Sequence, residues 1–289
     1  MSLGRCHDSE WLVQRLLAEQ YSNGAFRSTV FLHDRKLDDY NGFVTAQVLR
    51  AISTRLEPQS PVMSRALDFL ERCAYPMPQG SFGFWPREKV PAWMPAPLPP
   101  DADDTAVIAL ELGRAGRRTM AELREIACNA LVTCRAGRLP APRPPWIREG
   151  VFLTWLRPGP GNVVDCVVNA NVIALLAFCG LWRVPGFEQA VTLIENALDW
   201  AGPSLERAQT ITPFYPDPSE LLHAVRQAVS CGAVQLLDAQ EKLERLPWGQ
   251  SRSGAEVVAC GSAYGEIQWH SELLGQLRWP PARMSARDS

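Results

Sequence analysis

Apolar residues recur along most of the chain at the three- and four-residue spacing of a helix, and runs that alternate apolar with polar residues are short. The spacing predicts an all-α protein, with helices over 8–20, 38–55, 61–74, 101–116, 119–135, 164–180, 186–200, 218–231 and 234–246 and one more within 254–278. These segments are of two kinds. Trp11 to Gln20 and Met120 to Ala127 carry charge on one face and apolar residues on the other, as a helix bordering solvent does. Phe43 to Leu49, Thr105 to Leu110 and Val167 to Leu176 hold small residues and few charges, as a helix enclosed on all sides does. The two kinds alternate with a period of roughly 50 to 65 residues, and such a pair buries its faces only by stacking on its neighbours. A closed or curved α/α repeat is therefore expected.

The connections repeat too. Gln20, Gly24 and Phe26 follow the first outer helix at the same spacing as Gln79, Gly83 and Trp85 follow the second. Glycine permits a turn at positive φ, the aromatic ring can pack over the rim, and the glutamine amide can bond a helix end. Later copies, around Gly137 and Trp248, keep only fragments. The long loops 76–100 and 136–163 contain Trp85, Trp93, Trp146 and Trp155, which suits lids over a site.

Composition narrows the function. With 46% apolar and 21% charged residues and a net charge of −2 over 289 residues, the chain can bury a large core but has no basic face for nucleic acid. One domain over 1–279 is expected, with a frayed tail over 280–289. The first residues lack the apolar core of a secretory signal, and a cytoplasmic location is expected. The apolar run from Val163 to Trp182 contains Asp165, Asn169 and Asn171, which are costly in lipid, so it reads as a helix buried in protein. The eight scattered cysteines read as reduced, buried thiols.

Each inner helix opens on polar or acidic residues. Capping of the helix end accounts for Asp38, Asp101, Asp217 and Ser219. It does not account for Asp103 and Asp104 following Asp101, because one cap satisfies the end and further charges only repel. Close carboxylates in an apolar site cannot all ionise, so one keeps its proton and is held ready as a general acid.

The run Asp101, Ala102, Asp103, Asp104, Thr105, Ala106 resembles the DxDDTA motif of class II terpene cyclases of the squalene-hopene cyclase type. The segments Gln20 to Phe26 and Gln79 to Trp85 look like the QW repeats of that family. The resemblance implies an α6/α6 toroid and a reaction begun by protonating an alkene or epoxide. It implies Asp103 as the proton donor, Asp101 and Asp104 as the groups that orient it, and a partner from a neighbouring inner helix, for which Asn169, Asn171 and His223 are candidates. Carbocations survive only in a dry site lined by π faces, and Trp85, Trp93, Trp155, Phe214, Tyr215 and Trp269 are the residues expected to supply them.

The expected substrate is a linear isoprenoid or prenylated small molecule, with no cofactor unless a diphosphate head brings Mg2+. Arg87, Lys89, Arg143 and Arg148 are the cations that could meet a charged head. A single barrel leaves its cavity to be closed by the Trp-rich loops or by a second copy of the chain, and a prenyl substrate adds peripheral contact with a membrane. Three other readings stand beside this one. Asp165, Cys166 and His270 could imitate the zinc ligands of a protein prenyltransferase-like barrel. The chain could be a non-catalytic carrier of apolar ligands. A carbohydrate-active barrel could use Asp103 with Asp165 or Asp39 as its two carboxylates.

Overall fold

A computed structural model describes residues 12–32, 35–94, 97–137, 143–157 and 162–249, the backbone of 257–261, and 267–278. The expected tail over 280–289 lies outside these residues. Helices pack side by side in the order α11 (Glu272–Arg278), α2 (Gly42–Ile52), α4 (Ala102–Arg114), α6 (Cys166–Phe178) and α9 (Glu220–Ser230), and the middle three are buried over most of their length. Arg278, at the end of α11, donates to Glu220 at 2.5 Å and to Gln47 of α2 at 3.0 Å, so an ion pair joins the two ends of this row. Helix α6 shows why the pattern reads as it does: all its residues from Cys166 to Ala177 are buried, which leaves no face for a charge.

Around the row lie α1 (12–19), α3 (Pro61–Arg72), α5 (Met120–Ile126), α7 (Phe187–Ala201), α8 (Leu205–Ile211) and α10 (Leu237–Arg245). Helix α3 buries Val62, Met63, Ala66, Leu67, Phe69 and Leu70 on one face and is capped by Ser60, whose hydroxyl accepts from Met63 N. A wider π-type turn over Ala127–Val132 continues α5. No helix among the described residues is long and apolar enough to cross a membrane. Cys73, Cys128, Cys134, Cys166, Cys179 and Cys231 are free thiols.

The chain is not all-α, and the expected α6/α6 toroid is not its architecture. Strands β1 (Arg27–Leu32), β2 (Arg35–Tyr40), β5 (Val257–Gly261) and β6 (Ile267–His270) form an antiparallel sheet in the order β2-β1-β6-β5, and β3 (Ala74–Tyr75) pairs with β4 (Ser81–Phe82). The larger sheet is built from the two connections that lead into α2 and α11, and the pairing of Val30 with Trp269 ties the late part of the chain to its beginning. The helix expected from residue 38 starts later because Asp38 and Asp39 belong to β2. The capping role expected of Asp38 falls to Asn41, whose side chain accepts from Val44 N at 2.8 Å.

Gln20 holds the first connection: its amide donates to the carbonyls of Gly24 and Val62, both at 2.9 Å, and its oxygen accepts from Arg65 at 2.7 Å. Phe26 is fully buried beside it. The second copy differs. Gln79 is exposed, and Trp85 is buried through a different bond, described below.

Candidate functional site

Asp101 has extended backbone ahead of α4, and its carboxylate accepts from Asp104 N at 2.7 Å, which makes it the cap. The loop that carries Trp155 seals this end: Ala102 N donates to Thr154 O at 2.8 Å, and Asp101 forms a bridge with Trp155. Asp103 and Asp104 follow on the first turn, and both are buried. Their side chains go different ways. Asp103 Oδ1 accepts from Asn171 Nδ2 at 2.7 Å and Oδ2 from the Tyr215 hydroxyl. Asp104 Oδ2 is buried without a hydrogen-bond partner among the described residues.

A fourth carboxylate stands at the neighbouring helix end. Asp165 caps α6, accepting from Val167 N at 2.7 Å and Val168 N at 3.3 Å on one oxygen and from Phe214 N at 3.0 Å on the other. The last bond fixes the backbone just before Tyr215, and so places the hydroxyl that meets Asp103.

Burial drives the electrostatics of this cluster. It pushes Asp165 up to about 7, against the pull of the three backbone N–H groups. Asp101 also rises to about 7, through burial first and the Asp103 charge second. Asp104 is driven well above the carboxylate range by burial and by the charges of Asp101 and Asp103. Asp103 is raised by burial too, opposed by the bonds from Tyr215 and Asn171 and by the Arg50 charge. Burial thus shifts every carboxyl of the cluster toward its protonated form.

Asn169, one of the expected partners, is engaged elsewhere. Asn169 donates to the carbonyls of Phe152 at 3.0 Å and Asp165 at 2.8 Å, and accepts from Phe152 N at 3.0 Å, so it pins a loop to α6. Asn171 takes the place beside the acid. His223 of α9 is pushed down to about 3 by burial and by Arg278, Arg226 and Arg50, which keeps its ring neutral. Arg50 is not among the residues expected from sequence, although it is the charged residue of α2. It donates to Asn171 Oδ1 at 3.3 Å and to Glu111 at 3.2 Å.

The expected aromatic residues divide into two groups. Trp155 meets Phe214 edge-on at 5.8 Å beside the acids. Trp85, Trp93 and Trp269 pack together, with ring centroids 5.8 to 6.3 Å apart. Phe43 and Phe84 connect the groups: Tyr215 lies 6.1 Å from Phe43, Phe43 stacks 6.3 Å from Phe84, and Phe84 is 4.8 Å from both Trp85 and Trp269. At the far end of this column is Asp39, a buried carboxylate that accepts the indole N–H of Trp85 and of Trp269, each at 3.1 Å, and the Asn41 amide at 2.9 Å. Asp103 and Asp39 thus stand at opposite ends of one run of aromatic rings.

The zinc set does not assemble. Both oxygens of Asp165 are spent on backbone N–H groups, burial pushes the Cys166 thiol well up, and His270 packs its ring on Phe31 at 4.4 Å. Among the described residues no group of three or more His, Cys, Asp or Glu is arranged to hold a metal ion. Arg87, Lys89, Arg143 and Arg148 are all exposed. No protein-family model matches the chain, and no curated protein does.

Proposed function

We propose that the protein is a protonation-initiated cyclase of terpenes or prenylated small molecules, with Asp103 as the general acid. The observation that carries this reading is the setting of Asp103: a buried carboxyl at the head of an enclosed helix, held between Asn171 and Tyr215, with a run of aromatic rings leading away from it. The Asp103 charge raises Asp101, Asp104 and Asp165 in turn, so the carboxyls titrate as one cluster from which Asp103 can be resupplied with a proton.

In the proposed step the Asp103 O–H bond breaks as a new C–H bond forms at a terminal alkene carbon, or as an epoxide oxygen takes the proton. The charge left on Asp103 is met by the Asn171 amide and the Tyr215 hydroxyl, which are already in place. The cation is attacked by the next double bond of the chain, and loss of a proton at the end leaves an isomer with rings. The step needs no redox partner. Mg2+ would enter only with a diphosphate head. The aromatic residues are assigned the role of stabilising the cation without attacking it. We place the reaction in the cytoplasm, on a prenyl chain that can be presented from a membrane surface, and assign closure of the site to the Trp-rich loops or to a second copy of the chain.

The test is mass spectrometry of products after wild-type and Asp103→Asn protein are incubated with linear prenyl chains, free, epoxidised and diphosphorylated. A cyclised isomer made by the wild type and absent from the variant is expected. No turnover of any chain, with equal binding by both proteins, would replace this reading with that of a carrier.

A further inference from the structure

The far ends of the enclosed helices hold a second feature. A cavity of about 460 Å³ opens between the C-terminal ends of α2, α4 and α9 and is covered on one side by α3, a volume in the range of small-molecule sites. Glu111, on its lining, is eight residues along α4 from Asp103, roughly 12 Å along the helix axis. The cavity therefore lies apart from the acid cluster.

Its lining is of two sorts. Leu49, Met63 and Leu67 give a buried apolar wall, and Thr54 and Ser230 stand exposed at the mouth. At the inner end two guanidinium groups converge on one carboxylate: Arg50 at 3.2 Å and Arg114 at 3.4 Å from the same Glu111 oxygen. Glu111 is almost wholly buried and can neutralise only one of them. The helix C-termini offset part of the remaining charge, but Arg50 and Arg114 direct their bonds to side chains. Arg114 also meets Gln227, whose amide oxygen accepts from both of its terminal nitrogens when turned toward it. Arg50 Nη2 is buried and has no partner among the described residues. A buried guanidinium nitrogen with an unused N–H pair is costly unless an acceptor reaches it.

We propose that this cavity binds an amphiphilic anion, a carboxylate or phosphate ester on an apolar chain, with its head on Arg50 and Arg114 and its chain along Leu49, Met63 and Leu67. The cavity meets the acid cluster only through Arg50, which also bonds Asn171, and binding there does not require the proposed cyclisation. The guanidinium forks match the planar or tetrahedral oxygens of such a head, and the apolar wall matches the chain.

The experiment is isothermal titration calorimetry on the full chain with dodecanoate and dodecyl phosphate, each below its micellar concentration, and with dodecanol as the uncharged control. Arg114→Gln removes one guanidinium, and Thr54→Trp blocks the mouth from an exposed position; thermal unfolding checks that both variants fold. At least one anion should bind the wild type at one site, about tenfold or more tighter than dodecanol, and lose about tenfold or more in each folded variant. Failure of both anions to bind the wild type overturns the proposal. So does binding that dodecanol equals, or that neither variant weakens.

Discussion

Asn171 bridges Asp103 and Arg50: its amide nitrogen donates to Asp103 Oδ1 at 2.7 Å while its carbonyl oxygen accepts from Arg50 Nη1 at 3.3 Å. A guanidinium can only donate, so Arg50 fixes which way the amide faces and keeps an N–H on the acid. Leucine at this position is nearly isosteric but can do neither. Asn171→Leu strands a buried carboxylate oxygen and a guanidinium N–H, and a loss of about 2 to 4 kcal/mol in urea unfolding is expected; an unchanged midpoint would contradict the geometry. The variant also reads out the acid. Asn171 favours the charged form of Asp103, so its removal raises the pKa. An activity that needs protonated Asp103, as the proposed cyclisation does, falls as pH rises through that pKa, and the alkaline limb of its profile should move to higher pH in Asn171→Leu.

The carboxyls at the helix ends give stability an unusual slope with pH. Asp165 is near 7 in the folded chain and about 3.9 when unfolded. Between those values the folded state holds the extra proton, so the contribution of Asp165 is full below about pH 4 and is lost as pH rises to about 7. His223 acts in the opposite direction, since its folded value near 3 removes stability as pH falls below about 6.5. The two are separated by subtraction. The stability of wild type minus that of Asp165→Asn should decrease with rising pH between 4 and 7, on the order of 1.4 kcal/mol per unit at most, because the histidine cancels. Urea titrations at three pH values measure it, and a difference that is flat or rises with pH would refute the assignment.

The enclosed helices are legible in sequence because burial on every side demands small apolar residues throughout, as in α6. The acid cluster is legible because three aspartates exceed what one cap needs. The sheet is not. Strand β2 reads Arg-Lys-Leu-Asp-Asp-Tyr and lies at the sheet edge, where charge prevents further pairing and also erases the apolar alternation that marks a strand. Its hidden anchor, Asp39, bonds a tryptophan 230 residues away, a distance that local pattern cannot span. Asn169 and Asn171 share one helix and one residue type, so composition does not tell which faces Asp103. That choice is made by Phe152, whose backbone occupies both ends of the Asn169 amide.

Gly24 and Gly116 both have positive φ, +94° and +72°, but different surroundings. A Cβ on Gly24 would lie 2.0 Å from the Arg65 carbonyl oxygen, whereas one on Gly116 meets nothing within 4 Å. Alanine at position 116 therefore bears only the backbone strain, about 1 kcal/mol. Alanine at position 24 must also push α3 away from the loop that Gln20 holds, and about 3 kcal/mol or more is expected. Thermal unfolding of the two variants decides this. Equal losses would mean that the close approach of the first connection to α3 is not what calls for glycine there.

Asp39 gathers donors from three parts of the chain: Asn41 beside it, Trp85 after β4, and Trp269 in β6. Burial raises its pKa, and the same three side chains oppose the rise by favouring the carboxylate. Its removal should therefore loosen the tryptophan cluster and the pairing of β6 together. In Asp39→Ala both indole N–H groups lose their acceptor inside the core, which should cost about 3 to 5 kcal/mol. Asp39→Asn keeps one oxygen and so one indole, and about 1 to 3 kcal/mol is expected. Tryptophan emission should shift to the red in the order wild type, Asp39→Asn, Asp39→Ala as water reaches the rings. An alanine variant as stable as the asparagine one, with unshifted emission, would mean that the rings hold each other in place and the carboxylate only fills space between them.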